Sequence, residues 1–482
     1  MIRYLAGFDT RELEGERYDV AIVGGGLAGL SAALEASKQK DRSILVLEKS
    51  DDGSSLHAQG GIAVALGRND SPELHLRDTL NAGAGLCDSD AARILVREGL
   101  ARVKMLVDEG APFDKNNGDL ALGRESAHSR HRIIHASGDS TGEKITKFVR
   151  GLAEERAEFE SAFVVDVLTK NEGCVGLLVE RGGELGVVHS NSVVIASGGY
   201  AALYEKTTNP SVSVGDGSAA AHRAGCELCD LEFVQFHPTL LAGTDFLVSE
   251  SVRGEGALLV NDLGKSFIRG DPGGLRTRDV VAVEIYKQLA AGRKVFLDAR
   301  KLDAEFFSRR FQTIFRRCLE AKIDVSRDLI PVEPAAHYCM GGIKTSLNAE
   351  TNIRGIFACG EAACTGAHGA NRLASSSLLE ALVFGARAGE SAAKIKKTSR
   401  EEISHETRET NKTKNGGENA DVVGALKHLM WKDVGIIRNK ASLERARDAI
   451  GRMRSERFDD MNAISLASLV VKPALLREES RG

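Results

Sequence analysis

Tyr18-Asp-Val-Ala-Ile-Val-Gly-Gly-Gly-Leu-Ala-Gly-Leu30 is the stretch from which the rest of the chain is read. Residues 20–23 are an apolar, β-branched run that breaks into glycines where an alanine-rich helical pattern, Leu30 to Ala36, begins. That order predicts a buried strand, a tight turn and a helix. Gly24, Gly26 and Gly29 stand at G-x-G-x-x-G spacing, which lets backbone approach a pyrophosphate while the helix N-terminus offers it free N–H groups. About twenty residues on, Ser43-Ile-Leu-Val-Leu-Glu48 reads as the second parallel strand, with Glu48 at its tip where a ribose hydroxyl needs a carboxylate. Strand, turn, helix, strand and acid in register predict a nucleotide site.

The 482 residues exceed what one hydrophobic core supports, so about two or three domains are expected. Apolar content of 42% with 27% charged residues is that of a soluble globular protein. A net charge of −4 gives no reason to expect nucleic acid or an anionic membrane as partner. No apolar run approaches the length of a membrane span, and Arg3 to Arg17 lacks the apolar centre of a signal peptide, so a cytoplasmic location is expected. The eight cysteines are too sparse for a disulfide framework. Cys226-x-x-Cys229 has redox or metal spacing, but with no second pair beside it the two read as small buried hydrophobes, and no metal is expected.

Along the chain, Ala58-Gln-Gly-Gly61 is either backbone laid against a flat ligand or an ordinary turn. Residues 88 to 110 have helical period. Arg124-Glu-Ser-Ala-His-Ser-Arg-His-Arg-Ile-Ile-His135 concentrates charge without an amphipathic pattern, which fits either a solvated face or a site. Residues 162 to 198 read as a meander ending in a buried strand, Ser192 to Ser197, that returns to the nucleotide-binding sheet. Asp216 either caps the helix that follows it or faces a ligand. Taken singly, His237 and His337 are core histidines. Gly355-Ile-Phe-Ala-Cys-Gly-Glu361 is a strand running into a glycine and an acid, and Ala370 to Glu380 opens a helix.

Together these residues resemble the succinate dehydrogenase, fumarate reductase and L-aspartate oxidase family of FAD enzymes. The resemblance rests on Gly24 to Gly29, Ala58-Gln-Gly-Gly61, Gln235-Phe-His-Pro238, Arg253-Gly-Glu-Gly256, Arg278-Asp279, His337-Tyr338, Gly360-Glu361 and Ala370-Asn-Arg-Leu-Ala374, in family order along nearly the whole chain. The fold it implies is α/β. A Rossmann-like FAD-binding domain is expected in two parts, 1–230 and 341–395, with an inserted α+β capping domain at 231–340, a charged linker at 396–421 and a C-terminal helical domain at 422–482.

By the same resemblance, FAD lies against Gly24, Gly25, Gly26, Leu27, Ala28 and Gly29, with Glu48, Lys49 and Asp216 nearby. Ser54, Ser55, Ala58, Gln59, Gly60 and Gly61 follow, and Glu361, Ser377 and Leu378 close the site from the second part. Succinate dehydrogenases attach FAD through a histidine five residues before the glutamine of the Ala-Gln-Gly-Gly motif. Here Ser54 stands there, so non-covalent FAD is implied. The Arg124 to His135 stretch resembles the L-aspartate oxidase branch, where the acid matching Glu125 faces a substrate ammonium and dicarboxylate-only members carry an amide.

The implied reaction is dehydrogenation of L-aspartate to iminoaspartate, with hydride passing to flavin N5. Oxygen (giving hydrogen peroxide) or fumarate is the acceptor, and the step opens de novo NAD synthesis with the imine passing to quinolinate synthase. His237, Ser249, His337 and Arg372, with Gln235, are the implied substrate-binding residues. Arg278, Glu250, Arg253 and Glu125 are the implied catalytic set, Glu250 and Arg253 relaying a proton from Arg278. A soluble fumarate reductase or succinate dehydrogenase flavoprotein subunit is the alternative, and a non-catalytic flavin-binding protein a remote one.

Overall fold

The computed structural model describes residues 3–268, 276–395, 401–405 and 421–482. β1 (Val20–Val23) is buried at all four positions, as a central parallel strand must be. It turns through Gly24 to Gly26 into α1 (Leu27–Ala36) and returns as β2 (Ile44–Glu48). A Cβ on Gly29 would lie 1.9 Å from the Gly24 carbonyl, so the third motif glycine serves helix-on-turn packing. α2 (Pro72–Ala82) and α3 (Ser89–Asp108) carry side-chain N-caps from Ser71 and Asp88. α4 (Thr141–Glu154) then leads into β3 (Glu158–Ser161).

β4 (Phe163–Lys170), β5 (Gly173–Arg181) and β6 (Glu184–His189) form the expected antiparallel meander. β7 (Val193–Ile195) rejoins β1 in parallel. α5 (Asp216–Arg223) and β8 (Leu228–Cys229) precede a second unit built from β9 (Val234–Leu241), α6 (Ser251–Gly254), β10 (Leu258–Asn261), α7 (Arg278–Ala290), β11 (Val295–Asp298) and β12 (Ile330–Cys339). Its sheet is antiparallel in the order β9-β12-β11-β10. The chain returns through β13 (Gly342–Lys344), which pairs with β8, and β14 (Ile356–Ala358), which pairs in parallel with β7.

The resulting five-stranded sheet has the order β3-β2-β1-β7-β14, all parallel. Its order reverses between β1 and β7, so a crevice opens beyond their carboxyl ends, where the glycine turn lies. β15 (Ala363–Cys364) leads to α8 (Ser377–Ala393), which is pressed against α1. A Cβ on Gly389 would lie 2.1 Å from the Ala32 carbonyl, and only glycine allows that approach.

The molecule is thus an α/β protein with an inserted second unit and a C-terminal helical piece: α9 (Val422–Val434), α10 (Lys440–Ile450) and α11 (Phe458–Leu476). α11 packs on the start of α5, where a Cβ on Gly215 would lie 2.0 Å from Leu466 Cδ2. Of the linker expected at 396–421, only 401–405 and 421 are described, and the rest lies outside the described residues. Ser404–His405 is no free linker: it pairs antiparallel with Phe8–Asp9, and Ile403 packs against the cluster of Tyr4 and Phe8. Among the described residues no helix is long and apolar enough to cross a membrane.

Candidate functional site

A cavity of about 410 Å³ runs from the glycine turn to the sheet of the inserted unit. At its first end Gly24, Gly25 and Gly26 line the wall without side chains, and a Cβ on Gly25 would lie 1.7 Å from Glu48 Oε1. Glu48, expected to await a ribose, has both oxygens engaged by Arg150 of α4 at 2.8 and 2.9 Å. Lys49 and Asp216, both on the wall, form an ion pair with each other. Asn462 of α11 donates to the second Asp216 oxygen at 3.3 Å. Ser54 donates to Asn209 at 2.6 Å, and Ser55 accepts the Leu27 N–H at 3.2 Å, capping one of the free donors at the start of α1. Leu27 and Gly29 do not line the cavity: Leu27 belongs to the core beneath it, and Gly29 faces the turn.

At the other end the inserted unit contributes His237, Ser249, Glu250, Arg278 and His337, which face Arg372 from the segment before α8. The two histidine rings meet edge-on at 5.0 Å. Burial, followed by the nearby Arg278, holds both well below the usual histidine range, so both are neutral. The Thr239 N–H donates to His237 Nδ1, which leaves Nε2 carrying the proton. His337 accepts from Arg372 through Nε2 at 3.2 Å, so its Nδ1 donates to Thr208 at 2.7 Å. Burial, then Arg278, brings Arg372 down to about 10. Its guanidinium stacks 4.2 Å over the Tyr338 ring. The Tyr338 hydroxyl in turn donates to Glu380, which also accepts from Thr365 at 2.7 Å.

Arg278 is fixed by two bonds, from Nε to Glu250 Oε2 at 2.8 Å and from Nη1 to Gln235 Oε1 at 2.9 Å. Arg253 donates to the other Glu250 oxygen at 2.9 Å. Burial pushes Glu250 up, but Arg278 and Arg253 overcome it and hold the carboxyl at about 2. Glu361 forms no ion pair among the described residues: burial raises it to about 7, although the Cys339 N–H donates to it at 2.9 Å and Arg372 lies near enough to oppose the rise. Gln235 and Arg253, expected in contact with substrate or proton, are buried behind the wall. Gln235 is consumed by Arg278, Asn371 and the Arg372 carbonyl.

Glu125, expected to face the substrate, also lies behind the wall, which Gly60 and Ser375 form in front of it. Its Oε1 accepts from Ser251 at 2.8 Å and its Oε2 from Ser375 at 2.5 Å. Ser249 donates to Ser251 at 3.2 Å, so a second row of hydroxyls runs from the wall to the same carboxylate. Burial, then Glu250, pushes Glu125 above the usual carboxylate range. The charged run around it is no solvated face. Glu125, His128, Arg132 and His135 are buried, with Arg132 held by Asp70 and Asp78, while Arg124, Arg130 and His131 remain exposed.

Sequence reasoning missed Arg150, Ser251, Ser375, Glu380 and Asn462. Ser375 alone carried a signal, its place between Arg372 and Ser377 directly after the Ala370 to Ala374 motif. The other four look like ordinary helix residues until their neighbours are known. Cys226 and Cys229 do not act as a pair: Cys226 donates to Thr351 at 3.7 Å, whereas Cys229 lies beside Asp230 and Cys364, with their ligand atoms all within 4.8 Å.

Residues 19–378 match the model of the FAD binding domain family. The chain is similar to an L-aspartate oxidase of Streptomyces coelicolor, 41% identical over 506 aligned positions that cover 96% of this chain and 87% of that protein. It is 46% identical to an L-aspartate oxidase of Mesorhizobium japonicum over 77% of this chain and 74% of the other. Among solved structures it is similar to a quinol fumarate reductase chain of E. coli, with a TM-score of 0.88 and 29% identity, over 98% of this chain and 91% of that one.

Proposed function

The chain belongs to the L-aspartate oxidase branch of the FAD-binding succinate dehydrogenase and fumarate reductase flavoproteins, and from that membership we propose how its residues divide the work. The protein is an FAD-dependent oxidoreductase that oxidises L-aspartate to iminoaspartate, with oxygen or fumarate as acceptor. The observation that carries the assignment of substrate is a buried carboxylate, Glu125, one hydroxyl away from a cavity whose charged wall residues include Arg278 and Arg372. Two cations suit two carboxylates, and the acid suits an amine.

FAD fits the donor set. The side-chain-free turn at the end of β1 and the N-termini of α1 and α8 open on one cavity, and Ser54 offers no nitrogen for a covalent link. Gly24 to Gly26, Lys49, Ser55 and Asp216 would hold its dinucleotide arm, and Ala58 to Gly61, Glu361, Ser377 and Leu378 its ring end. When bound, FAD supplies the hydride acceptor.

His237, Ser249, His337 and Arg372 bind the substrate carboxylates, Arg372 exchanging its bond to His337 for a planar pair to the carboxylate. Arg278 holds or moves the proton at Nη2, which has no hydrogen-bond partner among the described residues, while Glu250 and Gln235 fix its plane. Glu250 and Arg253 continue the proton path. The working units are the two-part FAD domain (1–230 and 341–395) and the cap (231–340), whose closure excludes water from the reacting carbon. We place the enzyme in the cytoplasm, where a quinolinate synthase takes up the imine before water hydrolyses it.

Anaerobic addition of substrates to the purified holoenzyme tests this reading. L-aspartate bleaches the flavin spectrum, succinate does not, and Glu125→Gln removes the preference. Bleaching by succinate and not by L-aspartate would instead make this a dicarboxylate dehydrogenase.

A further inference from the structure

We propose that Ser375 carries a proton from the substrate amine to Glu125, so that the amine is read through a hydroxyl and not by the carboxylate directly; this rests on the L-aspartate reading above. Ser375 is on the cavity wall and Glu125 is behind it, with Oγ to Oε2 at 2.5 Å. A serine whose proton is directed at a carboxylate turns its lone pairs elsewhere, and at a cavity wall those lone pairs accept from an ammonium N–H. The polarity needed for relay is therefore already set before substrate arrives.

Three features fix the arrangement. Ser375 has φ of 56°, in the left-handed region that a non-glycine residue adopts only when its surroundings impose it. The Ala63 N–H donates to its carbonyl at 2.8 Å, pinning the backbone. The other Glu125 oxygen is held by Ser251, itself bonded by Ser249, so the carboxylate cannot swing away from Oγ without losing that bond.

The step balances without any added reactant. One substrate N–H bond breaks as its proton passes to Ser375 Oγ, and the hydroxyl's own proton passes to Glu125 Oε2. The products are a neutral amine that keeps the electron pair, a restored hydroxyl and a neutral carboxylic acid. That pair then forms the C=N bond as Cα loses hydride. The burial that favours a neutral Glu125, reinforced by Glu250 and opposed by Arg278, suits a proton acceptor. Succinate has no N–H to give and makes no use of the relay.

Ser375→Ala removes the hydroxyl, and Ser375→Gly removes it at a backbone angle that glycine adopts freely. The two are compared with wild-type and Glu125→Gln holoenzymes by kcat for L-aspartate, by flavin retention, and by succinate affinity read from the shift of the flavin spectrum. Both Ser375 variants should lose about 10²- to 10⁴-fold in kcat, the usual contribution of a proton-transfer group. Both should keep FAD and bind succinate within about threefold of wild type, a small change on the scale of binding free energies. A kcat retained in both variants overturns the relay. So does loss of succinate affinity or FAD in step with kcat, which would make Ser375 a structural residue. If Glu125→Gln leaves the preference for L-aspartate intact, the substrate reading itself fails. If Glu125→Gln abolishes the preference and the Ser375 variants stay active, only the relay falls.

Discussion

Replacing Glu250 by glutamine removes one negative charge from between two buried arginines while leaving the shape of the side chain almost unchanged. Glu250 is 1% exposed, and its two oxygens accept from Arg253 and Arg278 at 2.9 and 2.8 Å. A carboxyl held at about 2 in the fold and at 4.5 when free corresponds to about 3 kcal/mol of stabilisation at neutral pH. Removing one member of a buried ion pair costs roughly 3–5 kcal/mol, because the remaining charges stay desolvated. Glu250→Gln should therefore lose about 3 kcal/mol, measured by chemical denaturation at pH 7 followed by circular dichroism and flavin fluorescence.

The sign follows from the depressed value. The stabilisation is complete above 4.5 and disappears as pH falls through about 2, so wild type and variant converge in acid. The catalytic loss should be larger than the stability loss implies, since a neutral amide has one acceptor oxygen and can no longer hold Arg278 and Arg253 together. A Glu250→Gln protein within about 1 kcal/mol of wild type at pH 7, a difference ordinary for surface substitutions and their errors, would refute the electrostatic account of this cluster.

Glu361 gives the opposite slope: its carboxyl is free at 4.5 and raised to about 7 in the fold, so its contribution is present below 4.5 and lost as pH rises to about 7. Glu361→Gln keeps an oxygen for the Cys339 N–H and should flatten the stability of the apoprotein over that range, as read by denaturation at a series of pH values. Gly29→Ala forces a methyl to 1.9 Å from the Gly24 carbonyl. The helix must shift at a cost of about 1–3 kcal/mol, seen as a lower melting temperature and loss of bound FAD on gel filtration.

What was legible in the sequence was local. The turn at Gly24 to Gly29 is specified by residues in contact along the chain, so strand, helix and returning strand follow from their order. The meander and the strand at Val193 were readable for the same reason. The site was different. On physical grounds alone His237 and His337 read as core histidines; His237 is buried and His337 half-buried, and only the family motifs assigned them to a carboxylate. The charged run at Arg124 to His135 kept two readings open because its counter-ions, Asp70 and Asp78, come from a distant loop and helix. Ser251, Arg150 and Asn462 were invisible, since each acquires its meaning from a partner more than a hundred residues away or from the opposite wall.

Asn462 also bears on the order in which the protein is made. Its amide reaches Asp216, beside Lys49, across 246 residues of chain, and Leu466 closes over Gly215 from the same helix. At roughly 5–20 residues per second, tens of seconds of synthesis separate the aspartate from the helix that fixes it. For most of that interval β14 and α8 are also unmade, and once α8 has packed on α1 the FAD domain still lacks one wall of its nucleotide end. A chain truncated before α11 keeps β1, α1, α8 and the Lys49–Asp216 ion pair but loses the Asn462 bond and the cover of Leu466, so it should retain FAD less tightly than the full chain.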